Sequence, residues 1–173
     1  SLPSRGLGDV YKRQALKKGI ETIETEFFCI FNADGSFNPK ELDQMIKKLK
    51  DDKCDFVFAS RYEKDCGSED DTLITLVGNY IFTFLGKFFF KLKITDILYT
   101  FVMARASCAK KLKLTAKDFS FCVELPIKAQ KASYKICTSK SFERSRIAGK
   151  KKVNAFKDGL KILFSMIKFF FRH

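Results

Sequence analysis

Two short apolar runs on either side of a helix-forming segment constrain the fold of this chain more than any other feature. Residues 27–31 and 55–59 have the length and apolar content of buried strands, and polar residues follow each run directly. Between them, residues 38–41 (Asn-Pro-Lys-Glu) supply a capping residue, a proline suited to the first helical turn and an acidic side chain near the helix start. Strand, helix and strand in this order predict an α/β domain with parallel strands.

The rest of the chain continues the alternation of helices and strands. Residues 63–72 are polar and predict a mobile loop, and residues 73–92 predict a long apolar helix broken at Gly78, Gly86 and Lys87. The other predicted elements are the end of a helix at 15–22, a strand at 100–104, helices at 107–112 and 121–131, a strand at 134–138 and a final helix at 153–171. The 173 residues show no repeat and no linker, so we expect one domain.

Residues 1–14 do not resemble an element of a fold. They begin without Met, contain no apolar core of a signal peptide and show no helical or strand period. We interpret them as a non-native remnant of the kind that adapter sequence leaves at the ends of assembled environmental sequences. We therefore expect the native sequence to begin near Ala15, at a point in the middle of a domain.

The composition limits the chemistry that this chain can perform. The single histidine is the terminal His173, which argues against a histidine base or a histidine-bound metal. The six cysteines show no C-x-x-C spacing and several lie in apolar runs, so we expect reduced, buried thiols. Catalysis would then depend on carboxylates, basic groups and hydroxyls.

Positive charge is concentrated at the C-terminal end. The net charge is +13, and residues 138–173 contain ten Lys or Arg against two acidic residues. Such a patch attracts the phosphates of a nucleic acid, an anionic lipid or a phosphorylated substrate, unless it is simply a solvated surface.

Asn32 and Asp34 directly follow the first predicted strand. Together with diphosphate oxygens, these two oxygen-bearing side chains can bind a hard cation such as Mg²⁺ or Mn²⁺. The string Asn-x-Asp-Gly is also common in ordinary turns. Its position favours a cation site, because ligands collect at the carboxyl ends of strands in open α/β sheets.

Five motifs follow one another in a specific order. They are Asn32-Ala33-Asp34, the capped helix, Ser60-Arg61-Tyr62 after the second strand, the long apolar helix, and Asp96 ahead of Thr100-Phe101. This order resembles the family 2 glycosyltransferases, and within them the polyprenyl-phosphate sugar transferases. Residues 121–125 are similar to that family's acidic helix, and residues 142–153 to its Arg-x-x-Gly-x-Ser-Lys segment.

The resemblance covers nearly all of residues 15–165 and implies a fold. It predicts part of a GT-A domain, the Rossmann-like fold of nucleotide-diphospho-sugar transferases, over residues 15–152, with an amphipathic helix over residues 153–173. The family's first half normally holds the base and ribose of the nucleotide. Nothing upstream of Ala15 can do so here, so we expect this fragment to be inactive and its function to be that of a longer parent.

The resemblance also implies a role for nine residues. The candidate site residues are Asp96 as catalytic residue; Asp34 and Asn32 as metal ligands; Arg61, Arg146, Lys150 and Lys152 as phosphate ligands; and Glu124 and Tyr62 in structural or secondary roles. Asn32 stands where the family usually has Asp, and Lys151 where it has Ser. From the residues alone, two alternatives stay open: Arg61 as a surface arginine and Asp96 as the cap of the next turn. Glu124 is expected to have a structural role and to pair with an arginine of the phosphate loop.

The implied reaction is direct displacement at the anomeric carbon of a nucleotide-diphosphate sugar, with Mg²⁺ or Mn²⁺ and arginines stabilising the leaving group. The implied acceptor is a polyprenyl phosphate. Alternatives are a sugar hydroxyl in surface-polysaccharide synthesis and a non-catalytic membrane-associated homologue. A nucleic-acid-binding module leaves the strand-end motifs unexplained, so we expect no nucleic-acid partner.

The C-terminal helix predicts a peripheral protein at the cytoplasmic face of a membrane. Its basic residues form one stripe, and the rest of its surface is mostly apolar. We expect one group of residues to cover the sheet, namely Val153, Phe156, Leu160, Leu163, Phe164 and Ile167. A second group then needs another apolar partner, namely Ile162, Met166, Phe169 and Phe170. An anionic membrane surface provides one; core packing and the start of a membrane segment are the alternatives.

Overall fold

The computed structural model describes residues 15–116, 118–147 and 154–171. The strands are β1 (Phe27–Ile30), β2 (Phe56–Ser60), β3 (Gly67–Ser68), β4 (Val102–Arg105), β5 (Ile136–Lys140) and β6 (Phe142–Glu143). The helices are α1 (15–22), α2 (Glu41–Lys50), α3 (Leu73–Phe90), α4 (Ala106–Lys111), α5 (Phe121–Lys131) and α6 (Ala155–Phe171). This mixture of helices and sheet confirms the predicted α/β class.

The main sheet has the strand order β1-β4-β2-β5. Strand β4 is antiparallel to both β1 and β2, whereas β2 and β5 are parallel. Because β1 and β2 both oppose β4, they run in the same direction, as predicted, but they are not neighbours. Their carboxyl ends therefore reach the same edge of the sheet, and so does the carboxyl end of β5.

Strand β1 lies at an edge of this sheet within the described residues. It pairs with β4 on one side, no described strand pairs with its other side, and its four residues are half-buried. That further strands precede β1 stays a prediction, as do the domain boundaries.

The sheet separates two apolar cores. Phe56 and Phe58 point to the face that packs against α3, α5 and α6. Val57 and Ala59 point to the opposite face, where Met45 of α2 packs. This alternation follows from the pleat of the strand, and it places α2 on the opposite side of the sheet from α3 and α6.

Two predicted helix features differ in the structure. Asn38 does not cap α2, because its side chain accepts from the backbone N–H of Lys40 in a turn, and the helix begins at Glu41. Helix α3 is continuous from Leu73 to Phe90, through both glycines that predict a break. Gly86 instead permits close packing, since a Cβ there would lie 3.0 Å from the side chains of Ile97 and Leu92.

Helix α6 presents the opposite face to the one predicted. Ile162 and Met166 are buried, each 3% exposed, whereas Phe164 is 67% exposed. The buried side of α6 packs on α3 and α5, within the same core as Phe56 and Phe58 of β2. Residue Val153 and the basic residue Arg172 lie outside the described residues.

The prediction of six reduced thiols is wrong for Cys54 and Cys137, which form a disulfide with a Cα–Cα distance of 6.1 Å. Cys54 precedes β2 and Cys137 lies in β5, so the parallel pairing of these strands brings together residues 83 positions apart. Sequence spacing alone contains no sign of this pairing. The other four cysteines are not disulfide-bonded.

We expect four of the six cysteines to react with a maleimide when the protein is unfolded without reductant, because a disulfide sulfur is not a nucleophile. Reduction should raise the number to six, as read by mass spectrometry. A Cys29→Ser variant provides the control, since it should lose one adduct in both conditions. Six adducts without reductant would contradict the pairing.

Candidate functional site

Three loops meet where β1, β2 and β5 end. Backbone hydrogen bonds join them: the N–H of Ile147 donates to the carbonyl of Asp34 at 2.8 Å, and that of Ser141 to the carbonyl of Ser60 at 2.9 Å. The short strands β3 and β6 add a parallel pair between the second and third loops. Part of the predicted mobile loop is therefore ordered as β3. This junction is the candidate site.

Asp34 lies in the turn after β1. Its Oδ1 accepts from the backbone N–H of Ser36 at 3.1 Å and from the Ser36 hydroxyl at 2.7 Å. Burial opposes ionisation, but the hydrogen bonds from Ser36 and the charge of Arg146 outweigh it and lower the pKa of Asp34 below its usual value. Gly35 has φ +82°, and a Cβ there would lie 2.5 Å from Ile147, so the third loop crosses tightly over this turn.

The residues present fit a cation only if the substrate shares it. The described residues contain no group of three or more His, Cys, Asp or Glu side chains that could hold a metal. Asp34 and the half-buried Asn32 offer carboxylate and amide oxygens at one strand end. Mg²⁺ is commonly bound by one or two carboxylates together with substrate phosphates. Asp34 and Asn32 thus suit a cation that a diphosphate also ligates.

Arg146 forms a longer ion pair with Asp34 and a closer one with Asp70. Its Nη1 lies 3.7 Å from Asp34 Oδ2, and its Nη2 donates to Asp70 Oδ2 at 2.8 Å. Its Nε is buried and has no hydrogen-bond partner among the described residues. The role of Arg146 as a phosphate ligand stays a prediction. Lys150 and Lys152, predicted to assist it, lie outside the described residues.

Arg61 and Asp96 form a buried ion pair rather than an exposed pair of ligands. Arg61 Nε donates to Asp96 Oδ2 at 2.7 Å and Nη2 to Asp96 Oδ1 at 3.0 Å, while Nη1 donates to Glu143 Oε2 at 2.8 Å. Arg61 is 8% exposed and Asp96 is 1% exposed. The roles of Arg61 as phosphate ligand and Asp96 as catalytic residue stay predictions, and this geometry does not favour them.

The electrostatics of this cluster keep Arg61 charged. Burial lowers its pKa, but the hydrogen bonds and charge of Asp96, with the charge of Glu143, outweigh burial and raise the pKa above its usual range. The guanidinium also lies over the Tyr99 ring at 4.5 Å. Glu143 accepts a further hydrogen bond from the Ser68 hydroxyl at 2.6 Å.

A cleft of about 540 Å³ adjoins this cluster. Tyr62 donates to the carboxylate of Asp71, and Thr75 donates to the other oxygen of the same carboxylate. The lining includes the polar residues Arg61, Tyr62 and Asp71 and, from the start of α3, Leu73, Leu76 and Tyr80.

Sequence reasoning missed the acidic residues Asp70, Asp71 and Glu143. The first two lie in the segment predicted to be a mobile loop, and only the folded chain brings them to Arg146 and Arg61. The strand preference of the chain around Glu143 is weak, which concealed its position in β6. The available signal was a run of three acidic residues, Glu69 to Asp71, ahead of an apolar helix.

Glu124 lies apart from the loops that form the site. Its carboxylate is fully buried and accepts from Thr115 N at 2.8 Å, Thr115 Oγ1 at 2.7 Å and Ala116 N at 2.7 Å. Lys128 Nζ lies 2.8 Å away. The structural role is as expected, but the expected arginine partner is wrong: Glu124 binds Lys128 and the loop before α5.

Comparison with known families gives a match over more than half of the chain. A family model described as glycosyl transferase family 2 matches residues 9–113. The matched part includes Asn32, Asp34, Arg61 and Asp96 and ends before Glu124 and Arg146. It begins within residues 1–14, so the extent of a non-native remnant there stays a prediction.

We expect Asp96→Asn to lower the free energy of unfolding by about 3 kcal/mol, because it removes the charge of the carboxylate that accepts two hydrogen bonds from the buried Arg61 side chain. Urea unfolding at neutral pH measures the change. Glu26→Gln is the control, since it breaks the exposed pair with Arg105 and should cost less than about 1 kcal/mol. Equal effects of both variants would contradict a structural role of the Arg61–Asp96 pair.

A Glu124→Gln variant should be less stable by about 2 kcal/mol at neutral pH, because an amide N–H then opposes backbone donors. Burial opposes ionisation of Glu124, but the bonds from Lys128, Ala116 and Thr115 lower its pKa in the folded state. Its contribution is therefore present above the unfolded pKa of about 4.3 and is lost as pH falls through the folded pKa. Urea titrations at several pH values should show the difference shrinking in acid. A difference that grows in acid would refute this.

Proposed function

The chain belongs to glycosyl transferase family 2, and on this basis we propose that it forms the diphosphate and acceptor side of a site that transfers a sugar from a nucleotide-diphosphate sugar to a polyprenyl phosphate. The observation that carries the proposal is the junction at the sheet edge. There, Asp34 and Arg146 lie on loops that hydrogen bonds join to the loop after β2. The cleft that Tyr62 lines is formed partly by that loop. An anionic membrane surface is the expected partner, because such an acceptor resides in a membrane.

The donor diphosphate is proposed to bind at Asp34 and Arg146. Asp34 and Asn32 would hold a divalent cation there, which would supply positive charge to the departing nucleoside diphosphate. Arg146 lies beside Asp34, and its guanidinium adds a positive charge that can bind a phosphate oxygen. The guanidinium and the cation together would stabilise the negative charge that develops on the leaving group.

The acceptor is proposed to enter the cleft between the polar end of β2 and the apolar start of α3. A polyprenyl phosphate has an anionic end and an apolar tail, and the lining of the cleft includes both polar and apolar side chains. Leu73 and Tyr80 line the cleft and are also 74% and 55% exposed, which favours a ligand that continues out along α3. A phosphate acceptor is already anionic and requires little help from a base.

A sugar hydroxyl is the second candidate acceptor, and one observation favours it. Around the cleft, the single positive charge of Arg61 faces the carboxylates of Asp71, Asp96 and Glu143. This excess of negative charge disfavours a phosphate at the polar side and suits a neutral hydroxyl that needs a base. Asp71 lines the cleft and is the carboxylate placed to accept such a proton.

We expect a longer parent protein containing this chain to transfer labelled sugar in a reaction that requires Mg²⁺ or Mn²⁺. An Asp34→Asn variant should reduce kcat/KM about 100-fold, since it removes the carboxylate that would hold the cation beside the leaving group. Asp43→Asn, the same substitution at an exposed position of α2, is the control and should leave the rate unchanged. Transfer that is undiminished in chelator, or by Asp34→Asn, would refute the metal assignment.

The same assay distinguishes the acceptors. Polyprenyl phosphate and a soluble glycan are offered separately with each nucleotide sugar. Product on the lipid phosphate supports the first proposal, whereas product on the glycan alone supports the second. If no nucleotide sugar in the assay is either hydrolysed or used for transfer, the result would favour a non-catalytic homologue.

A further inference from the structure

Helices α3 and α6 lie side by side and share one exposed apolar surface. Ring contacts run across both helices without a break: Phe84 contacts Phe88, Phe88 contacts Phe89, and Phe89 contacts Phe170 of α6 at a centroid distance of 5.4 Å. Many of the side chains on this surface are largely exposed, including Ile74 (70%), Phe84 (64%), Phe88 (69%), Phe156 (76%), Phe164 (67%) and Phe171 (76%). Soluble monomers rarely expose a continuous patch of this extent. We call it the α3–α6 face.

Helix α3 has the length and composition of a membrane span, and only 17% of it is buried within the domain. Its buried residues nevertheless tie one side of it to the domain. The side-chain oxygen of Asn79 accepts from Leu98 N at 3.0 Å, and Thr83 Oγ1 accepts from Ile97 N at 3.2 Å. A helix with one side bonded to the domain and the other exposed suits a position along a membrane surface rather than across the bilayer.

The charges of the two helices identify the kind of surface they fit. Helix α3 contains no acidic residue, and its one charged residue is Lys87. On α6, Lys157, Lys161 and Lys168 are exposed, and the single acidic residue, Asp158, lies 3.6 Å from Lys161. Two copies joined face to face would bring these lysines together. An anionic lipid surface instead accepts the apolar side chains and pairs with the lysines.

We propose that the α3–α6 face binds an anionic lipid bilayer, with both helices lying along its surface. Leu73 and Tyr80 belong to this face and also line the cleft of the candidate site. The cleft therefore opens at the bilayer surface, where a lipid-borne ligand can reach it without leaving the membrane. This extends the proposed function by naming the surface that meets the membrane; the test uses neither donor nor acceptor, so each can fail independently.

Vesicle flotation of the 173-residue chain tests the proposal. Vesicles of phosphatidylcholine with phosphatidylglycerol should carry the protein to the top of the gradient, and pure phosphatidylcholine should carry much less. The double variant Phe88→Glu, Phe164→Glu should weaken binding at least about tenfold, because it places charge in the apolar layer. Both positions are exposed, and circular dichroism confirms that the variant folds.

A matched pair of charge variants tests the lipid preference. Lys157→Glu with Lys168→Glu should reduce binding to the anionic vesicles about tenfold or more, since each basic residue near the surface contributes on the order of 1 kcal/mol. Lys47→Glu with Lys50→Glu changes the net charge equally on α2, on the other side of the sheet, and should have little effect.

Two results would overturn the proposal. One is an equal loss of vesicle binding in the α2 charge variant and in the α6 charge variant, since binding would then depend on net charge alone. The other is a chain that does not float but forms a dimer in sedimentation equilibrium, dissociated by Phe88→Glu with Phe164→Glu. That result would assign the face to a second copy of the chain.

Discussion

The burial of one guanidinium group organises the site end of this domain. A charged group that is removed from water must be compensated by carboxylates with good geometry. Arg61 obtains them from Asp96 ahead of β4, from Glu143 in β6 and, at 3.9 Å, from Asp71 ahead of α3. Three segments that are distant in sequence are thereby fixed against the end of β2. The loops that carry Asp34 and Arg146 are bonded in turn to those segments.

Local pattern predicts a large part of the fold. The strands β1 and β2 are short apolar runs, and α2 and α5 have clear helical patterns, so their existence follows from nearby residues alone. The insertion of β4 between β1 and β2 does not, because strand order depends on pairing between residues more than 70 positions apart, such as Phe27 with Arg105. The disulfide between Cys54 and Cys137 and the outward face of α6 depend on the same long-range contacts.

The candidate site shows a comparable division. Asp34 is predictable, because a polar residue directly after a buried strand occupies the ligand-binding edge of the sheet. The environment of Arg61 is not, since the sequence cannot reveal that Glu143 approaches it after an interval of 82 residues. Arg61 therefore resembles a surface ligand in the sequence and is a buried residue in the fold. The family resemblance indicates the segments of the candidate site, whereas the carboxylates around Arg61 become visible only in the fold.

The strand order has a consequence for how the chain assembles during synthesis. Strands β1 and β2 are both complete by residue 60, but within the described structure neither can pair until β4 is available. While residues 61–101 are being synthesised, the nascent chain exposes two apolar strands and the apolar segment of α3, and the strands have no partner within the described sheet to pair with. Contacts of this sequence separation form late and leave nascent chains prone to aggregation. An early encounter of α3 with lipid would shield part of that surface while β4 is still being made.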